Sequence, residues 1–202
     1  MFKKWEKGMG HCMDNKETIM QAAIDLINEK GERMNDITVR EICKRANVGL
    51  GLVNYHFGNK DRLIELCVER IVNGIVENFR SIREKTEGFT PFEKLDYLGN
   101  MTLTFLFEHY AVSKTSILTD MRMPKEDDNT HRTYRAYLPL VSACRPDWDE
   151  STLERKTFCL IAAMQQLFLR HKVLLSVYGI DLTKAEEREA VHERILRDVL
   201  GG

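Results

Sequence analysis

Residues 36–66 read DITVREICKRANVGLGLVNYHFGNKDRLIEL, and the order of caps, apolar positions and glycines in this stretch decides the fold. Thr38 followed three residues later by Glu41 is a capping box, and Val39, Ile42, Cys43 and Ala46 form a two-turn apolar stripe that ends near Asn47 and Gly49. A second short helix, Leu50 to His56, runs into Gly58, and Asn59 caps a longer helix through Leu63, Leu66, Cys67, Ile71 and Ile75. Two short helices joined by a tight turn, with a third starting at once, have the layout of a helix-turn-helix.

The flanks repeat the helical pattern. Upstream, Asp14 with Glu17 reads as a capping box for a first helix whose Ile19, Ala22, Ala23, Leu26 and Ile27 line one face until Gly31. Downstream, Thr90, Pro91 and Glu93 combine an N-cap, an N1 proline and an N3 carboxylate at one helix start. Helical patterns then cover Phe92 to Tyr110, Val112 to Met123, Asn129 to Cys144 and Ser151 to Tyr178. Gly179 stops the last of these, and Thr183 with Glu186 caps a final helix to Leu200. Four prolines and little β-branched alternation agree with an all-α chain. The expected division is a flexible tail 1–13, a three-helix helix-turn-helix domain 14–60, a connecting helix 61–88 and a larger helical domain 89–202.

Composition narrows the function classes. The 202 residues leave room for one compact chain or a small module joined to a larger one, and 43% hydrophobic with 30% charged residues argues against disorder. Lys plus Arg (30) nearly cancels Asp plus Glu (31), so any nucleic-acid affinity has to come from local clustering. Between Thr38 and Arg62 the bases Arg40, Lys44, Arg45, Lys60 and Arg62 outnumber the acids Glu41 and Asp61. The longest unbroken apolar stretch, Phe158 to Met164, is too short to span a membrane, and the N-terminus lacks the apolar run of a signal peptide. Five scattered cysteines without C-x-x-C spacing fit a reducing cytoplasm, each as a small core residue. His109, His131, His171 and His192 lack metal-ligand spacing, and neither a metal nor another cofactor is expected.

The wording of the central block, Ile37-Thr38, Ile42, Ala46, Val48, Gly51, Val53-Asn54-Tyr55-His56-Phe57 and Asn59-Lys60-Asp61-Arg62-Leu63, resembles the DNA-binding domain of the tetracycline-repressor (TetR) family. The resemblance runs from about Thr18 to Leu66, and Gly179-Ile180-Asp181-Leu182 ahead of a final helix also looks like that family's C-terminal end. It implies a cytoplasmic homodimer in which each N-terminal domain reads half of a roughly palindromic operator in double-stranded DNA, while a variable helical domain dimerises and accepts a small-molecule effector. It also assigns Tyr55 and His56, at the end of the recognition helix, to backbone phosphates, which their hydroxyl and imidazole can contact. Two positions depart from the family pattern: Gly49 replaces a hydroxyl residue at the N-cap, and Asn54 a commonly aromatic one.

Other roles follow from the residues themselves. Lys60 opens the third helix of the block, where free N–H groups and a lysine together suit a phosphate. The Thr38 hydroxyl either caps its helix or donates to phosphate. Among base readers, Asn54 pairs with adenine, Arg40 reaches guanine O6/N7, and Leu50 and Leu52 meet thymine methyls. Gly49 and Gly51 let the backbone approach the duplex closely, and Lys44 adds charge on the same helix as Arg40. Lys3, Lys4, Trp5 and Lys7 in the tail either add phosphate or minor-groove contacts or are mobile.

In the larger domain, Leu160, Met164, Leu167, Phe168 and His171, with Ile195 and Val199 of the last helix, are on helical spacing that suits an isologous four-helix dimer interface, or burial within one chain. Met101, Phe105, Met121, Tyr134 and Tyr137, with Phe107, suit an apolar effector pocket or an ordinary core. The leading reading is a repressor that loses its operator when a ligand changes the spacing of its recognition helices. The competing readings are a helical ligand carrier or small enzyme that keeps the N-terminal module as a scaffold, and a protein-binding adaptor.

Overall fold

The computed structural model describes residues 3–78 and 85–201, with the side chains of 3–14, 32 and 73–78 outside that description. The described residues form ten α-helices and one 3-10 segment, with no strand. They divide into two compact units, Met1–Gly74 and Ile75–Gly202.

The first unit holds α1 (Lys3–Lys30), the 3-10 segment Gly31–Asp36, α2 (Val39–Ala46), α3 (Gly51–Phe57) and the start of α4 (Lys60–Asn78), within which the division falls. Helical backbone already runs from Lys3, so Asp14 is an interior position and not the expected N-cap. Contacts proposed for Lys3, Lys4, Trp5 and Lys7 concern side chains outside the described set. Gly31 leaves the helix with φ +52, a conformation that glycine adopts without steric cost. Ile19, Ala23 and Ile27 of α1, Ile42 of α2, Val53 and Phe57 of α3 and Leu63 of α4 are all buried, and α1 packs on α2 and α3. Removing such side chains from water is worth about 1.5–3 kcal/mol each, which is what holds helices this short in place.

The second unit contains α5 (Pro91–Glu108), α6 (Tyr110–Arg122), α7 (Asn129–Cys144), α8 (Glu150–Leu169), α9 (His171–Tyr178) and α10 (Ala185–Leu200). Its core joins Leu95, Leu98 and Leu103 of α5 to Tyr137 and Val141 of α7, Leu160 and Met164 of α8, and Leu196 and Leu200 of α10. Thr90 and Glu93 form the expected capping box, with Pro91 at the first helical position.

Two expectations fail here. Ser151 to Tyr178 is not one helix: the chain bends by 74° between α8 and α9 at Arg170, where the His171 ring Nδ1 lies 2.8 Å from the Phe168 carbonyl. A side chain thus engages a carbonyl that a continuing helix would bond. Nor do Thr183 and Glu186 cap α10: Thr183 donates its hydroxyl to Asp181 (2.6 Å), and Glu187 accepts from the Asp181 N–H (2.6 Å) and from Lys184 (2.9 Å). Among the described residues no single helix is long and apolar enough to cross a membrane.

Candidate nucleic-acid interface

Two ion pairs set the orientation of α2. Glu41 accepts from the Lys30 ammonium at 2.7 Å, and Arg45 donates through a forked guanidinium to Glu29, with the Nη2 bond at 2.8 Å. Glu41 also closes the capping box, accepting from the Thr38 N–H (2.8 Å) and hydroxyl (2.9 Å) while Thr38 Oγ1 takes the Glu41 N–H (3.2 Å). The Lys30 ammonium first, then the Thr38 N–H and hydroxyl, hold the Glu41 carboxyl at a pKa of about 2. The Thr38 hydroxyl is therefore engaged in capping, one of its two expected roles. With Glu41 and Arg45 turned to α1, Arg40 and Lys44 are exposed, four residues apart, and neither has an ion-pair partner among the described residues.

Asn47 closes α2 in the left-handed conformation (φ 53), and the Val48 N–H bonds back to the Cys43 carbonyl. Helix α3 buries Val53 and Phe57, the same face one turn apart, and so exposes Leu50, Gly51, Asn54 and Tyr55. Leu50 and Tyr55 are 53% and 75% exposed, large apolar area that the unit leaves uncovered. Leu52 and His56 are half-buried, and the Tyr55 and His56 rings meet edge to face at 4.9 Å. Gly49 and Gly51 have ordinary φ values, and a Cβ at either would meet nothing within 4 Å. Packing inside the unit does not require glycine at these positions.

At the start of α4, Asn59 Oδ1 accepts the Arg62 N–H at 2.8 Å, as its capping role predicts, and Leu63 bonds to the Asn59 carbonyl. This leaves the N–H groups of Lys60 and Asp61 without a partner inside the helix. The Lys60 ammonium reaches the Asn35 carbonyl at 3.3 Å and Arg62 pairs with Glu65 at 3.2 Å. The exposed side of α3, the N-terminus of α4 and the outward bases of α2 are thus left uncovered by the unit's own packing.

In the second unit the five expected effector residues are not brought together. Met101 and Phe105 line a cavity of about 650 Å³ beside α5, whereas Met121 and Tyr134 line another of about 820 Å³ among α6, α7 and α8. Tyr137 lines neither: it is a core residue whose hydroxyl donates to Thr102 Oγ1 at 2.8 Å. Phe107 packs edge to face on Phe168 and His171. Sequence reasoning missed Glu93, Asp96, Glu108 and Glu189 in the first cavity. Spacing of three or four residues through Glu93, Asp96, Tyr97, Asn100, Met101, Thr104 and Glu108 was the available signal.

The expected dimer residues Leu160, Met164, Phe168 and His171 are buried in their own chain, and Leu167, Ile195 and Val199 are half-buried. On α8 and α9 the apolar residues left outside are Phe158, Val173, Leu175, Val177 and Tyr178. No group of three or more His, Cys, Asp or Glu able to hold a metal occurs among the described residues.

Comparison with known proteins places the segment holding α2 and α3 among regulatory helix-turn-helix sequences. Residues 19–67 match the sequence model of a family described as bacterial regulatory proteins, tetR family. The HTH-type transcriptional repressor Rv3405c of Mycobacterium tuberculosis is 28% identical over 183 residues, 89% of this chain and 86% of that protein. The HTH-type transcriptional regulator BetI of Brucella anthropi is 25% identical over 60% of each. Two crystal structures from Rhodococcus sp. RHA1 share the fold. A TetR-like transcriptional regulator has a TM-score of 0.59 and 17% identity, covering 93% of this chain and 97% of its own. A second transcriptional regulator has a TM-score of 0.65 and 20% identity over 93% and 96%. The helix-turn-helix geometry, the matched segment and the near full-length relatives lead to one conclusion: the chain is a DNA-binding transcriptional regulator whose residues 19–67 are similar to the tetR family's DNA-binding segment.

Proposed function

We propose that the protein represses transcription as a homodimer, with each α3 in a major groove of a roughly palindromic operator and with a small molecule in the second unit releasing it. The observation that carries the DNA mode is the uncovered face of α3, Leu50, Gly51, Asn54 and Tyr55, beside the α4 N-terminus. Asn54 offers a donor and acceptor pair to adenine, Leu50 and Leu52 meet thymine methyls, and Arg40 is the candidate for guanine. Tyr55, His56, Lys44 and Lys60 contact phosphates, and one phosphate is received by the Lys60 and Asp61 N–H groups. Glycine at 49 and 51, which the unit's own packing does not need, brings backbone close to the duplex. The Thr38 hydroxyl gives its one proton to Glu41, so a phosphate contact from it requires that bond to be released.

A second copy covers the exposed apolar strip of α8 and α9, Phe158, Val173, Val177 and Tyr178, in place of the buried residues that spacing suggested. Two recognition helices then meet half-sites ~34–36 Å apart or a multiple of it. An effector shifts this state only by binding the DNA-free form preferentially. Selection of bound fragments from a pool of random duplexes, with and without candidate ligands, tests the reading. A symmetric motif that is lost on adding a ligand supports it, and recovery of no duplex at low salt overturns it.

A further inference from the structure

We propose that the cavity beside α5 is a binding site for a bulky organic cation carrying aromatic or apolar groups. Four carboxylates line it, Glu93, Asp96, Glu108 and Glu189, and no lysine or arginine does. Their negative charge is only partly answered within the chain. Glu93 accepts the Thr90 N–H and hydroxyl, and Asp96 accepts from Asn100 and His192, whereas Glu108 and Glu189 have no ion-pair partner among the described residues.

Three aromatic residues share the wall. Phe89 and Tyr97 meet edge to face at 6.2 Å, and the Phe105 ring lies 4.5 Å from that of His109. Aromatic faces attract a desolvated cation and repel an anion, so rings and carboxylates select the same sign of charge. Asn100, in the same wall, gives Nδ2 to Asp96 at 3.1 Å and so holds that carboxylate in place. The carboxylates do not gather into a metal-ligating group, and about 650 Å³ is far more room than an ion needs. Dispersed charge around an aromatic-lined space fits a charge spread over a large body, as in a quaternary ammonium or phosphonium compound.

Binding itself does not depend on the effector reading given above; only its consequence for DNA does. The test uses the full-length protein with tetraphenylphosphonium and tetraphenylborate, which share shape and differ in sign, measured by titration calorimetry. The expected result is saturable cation binding, at least about tenfold tighter than that of the anion, weakened by roughly tenfold in each of Glu108→Gln and Glu189→Gln. Both substitutions are isosteric and lie at exposed positions, and unchanged circular dichroism and operator binding show that the variants are folded. Met101→Trp, which fills the cavity from another side, is expected to abolish binding. Equal or tighter borate binding, or wild-type phosphonium affinity in both Gln variants, overturns the site. Cation binding with these losses but no change in an operator gel shift supports the site and counts against its use as the effector switch.

Discussion

The ring of His192 on α10 is buried against Gly99 on α5: its Nδ1 lies 2.9 Å from Asp96 Oδ1, and a Cβ on Gly99 would come within 1.9 Å of its Nε2. The carboxylate accepts only, so Nδ1 carries the proton and Nε2 is the bare nitrogen, without a partner among the described residues. One helix pair is thus locked by a fit that leaves no room for a methyl group and ends at an acid in the cavity wall.

Gly99→Ala is expected to lower stability by about 1–3 kcal/mol, because the ring has no exposed side to move toward. In a His192→Ala background the same change should cost well under that. Urea unfolding of the double-mutant cycle measures the coupling, and additive effects would contradict the contact.

Stability should also fall with acidification near neutrality. Burial depresses the His192 pKa below 6.5, outweighing the pull of Asp96 in the other direction. The unfolded chain therefore binds the proton more readily, so stability is complete above 6.5 and declines as pH drops from there toward the folded value. Asp96→Asn removes the upward pull, and a wild-type profile that is flat from pH 7.5 to 5.5 would contradict the assignment.

Thr38→Ala opens the capping box and should cost about 1 kcal/mol by thermal or urea unfolding. The Glu41 contribution is present above the ordinary carboxyl value of 4.5 and is lost as pH falls toward about 2. Glu41→Gln should therefore flatten the acid limb between those values.

Gly51→Ala separates folding from DNA contact. Nothing within the unit opposes a methyl group there, and alanine favours the helix by up to about 1 kcal/mol, so the variant should be as stable as the parent or more so. Its operator affinity should drop, since the methyl stands between α3 and the duplex. Undiminished affinity in a filter-binding titration would remove the close approach.

Lys60→Ala should weaken binding to all duplexes and reduce the slope of log K against log salt by about 1, whereas Arg40→Ala should relax base choice at one position by about 1–3 kcal/mol. Both side chains are on the surface, and the 3.3 Å contact of Lys60 with Asn35 is long, so neither variant should lose much stability.

The DNA-binding unit was nearly all legible in the amino-acid order, because its signals are local. Thr38 with Glu41, the Asn59 cap, and the α2 stripe through Ile42, Cys43 and Ala46 act over three or four residues, and the structure contains each of them. The start of α1 was misread because Asp14 and Glu17 satisfy the spacing of a cap inside a helix just as well as at its end; in the structure Glu17 pairs with Arg70 of α4. The break at Arg170 was equally invisible: no glycine or proline marks it, and it coincides with a ring buried against Phe107 and Tyr110 from other helices.

Caps and apolar spacing, then, determined an all-helical chain, and together with the resemblance of the central block a helix-turn-helix at its front, since these signals act within a single helix or turn. Which stripe of α8 became core, why Tyr137 fills the interior while Phe105 borders an acidic cavity, and the pairing of Asp96 with His192 across 96 positions of chain were decided by tertiary packing. The reason is physical: an apolar stripe states that a face will be covered, but its partner is chosen by the shape and volume of helices distant in sequence, which no local spacing encodes.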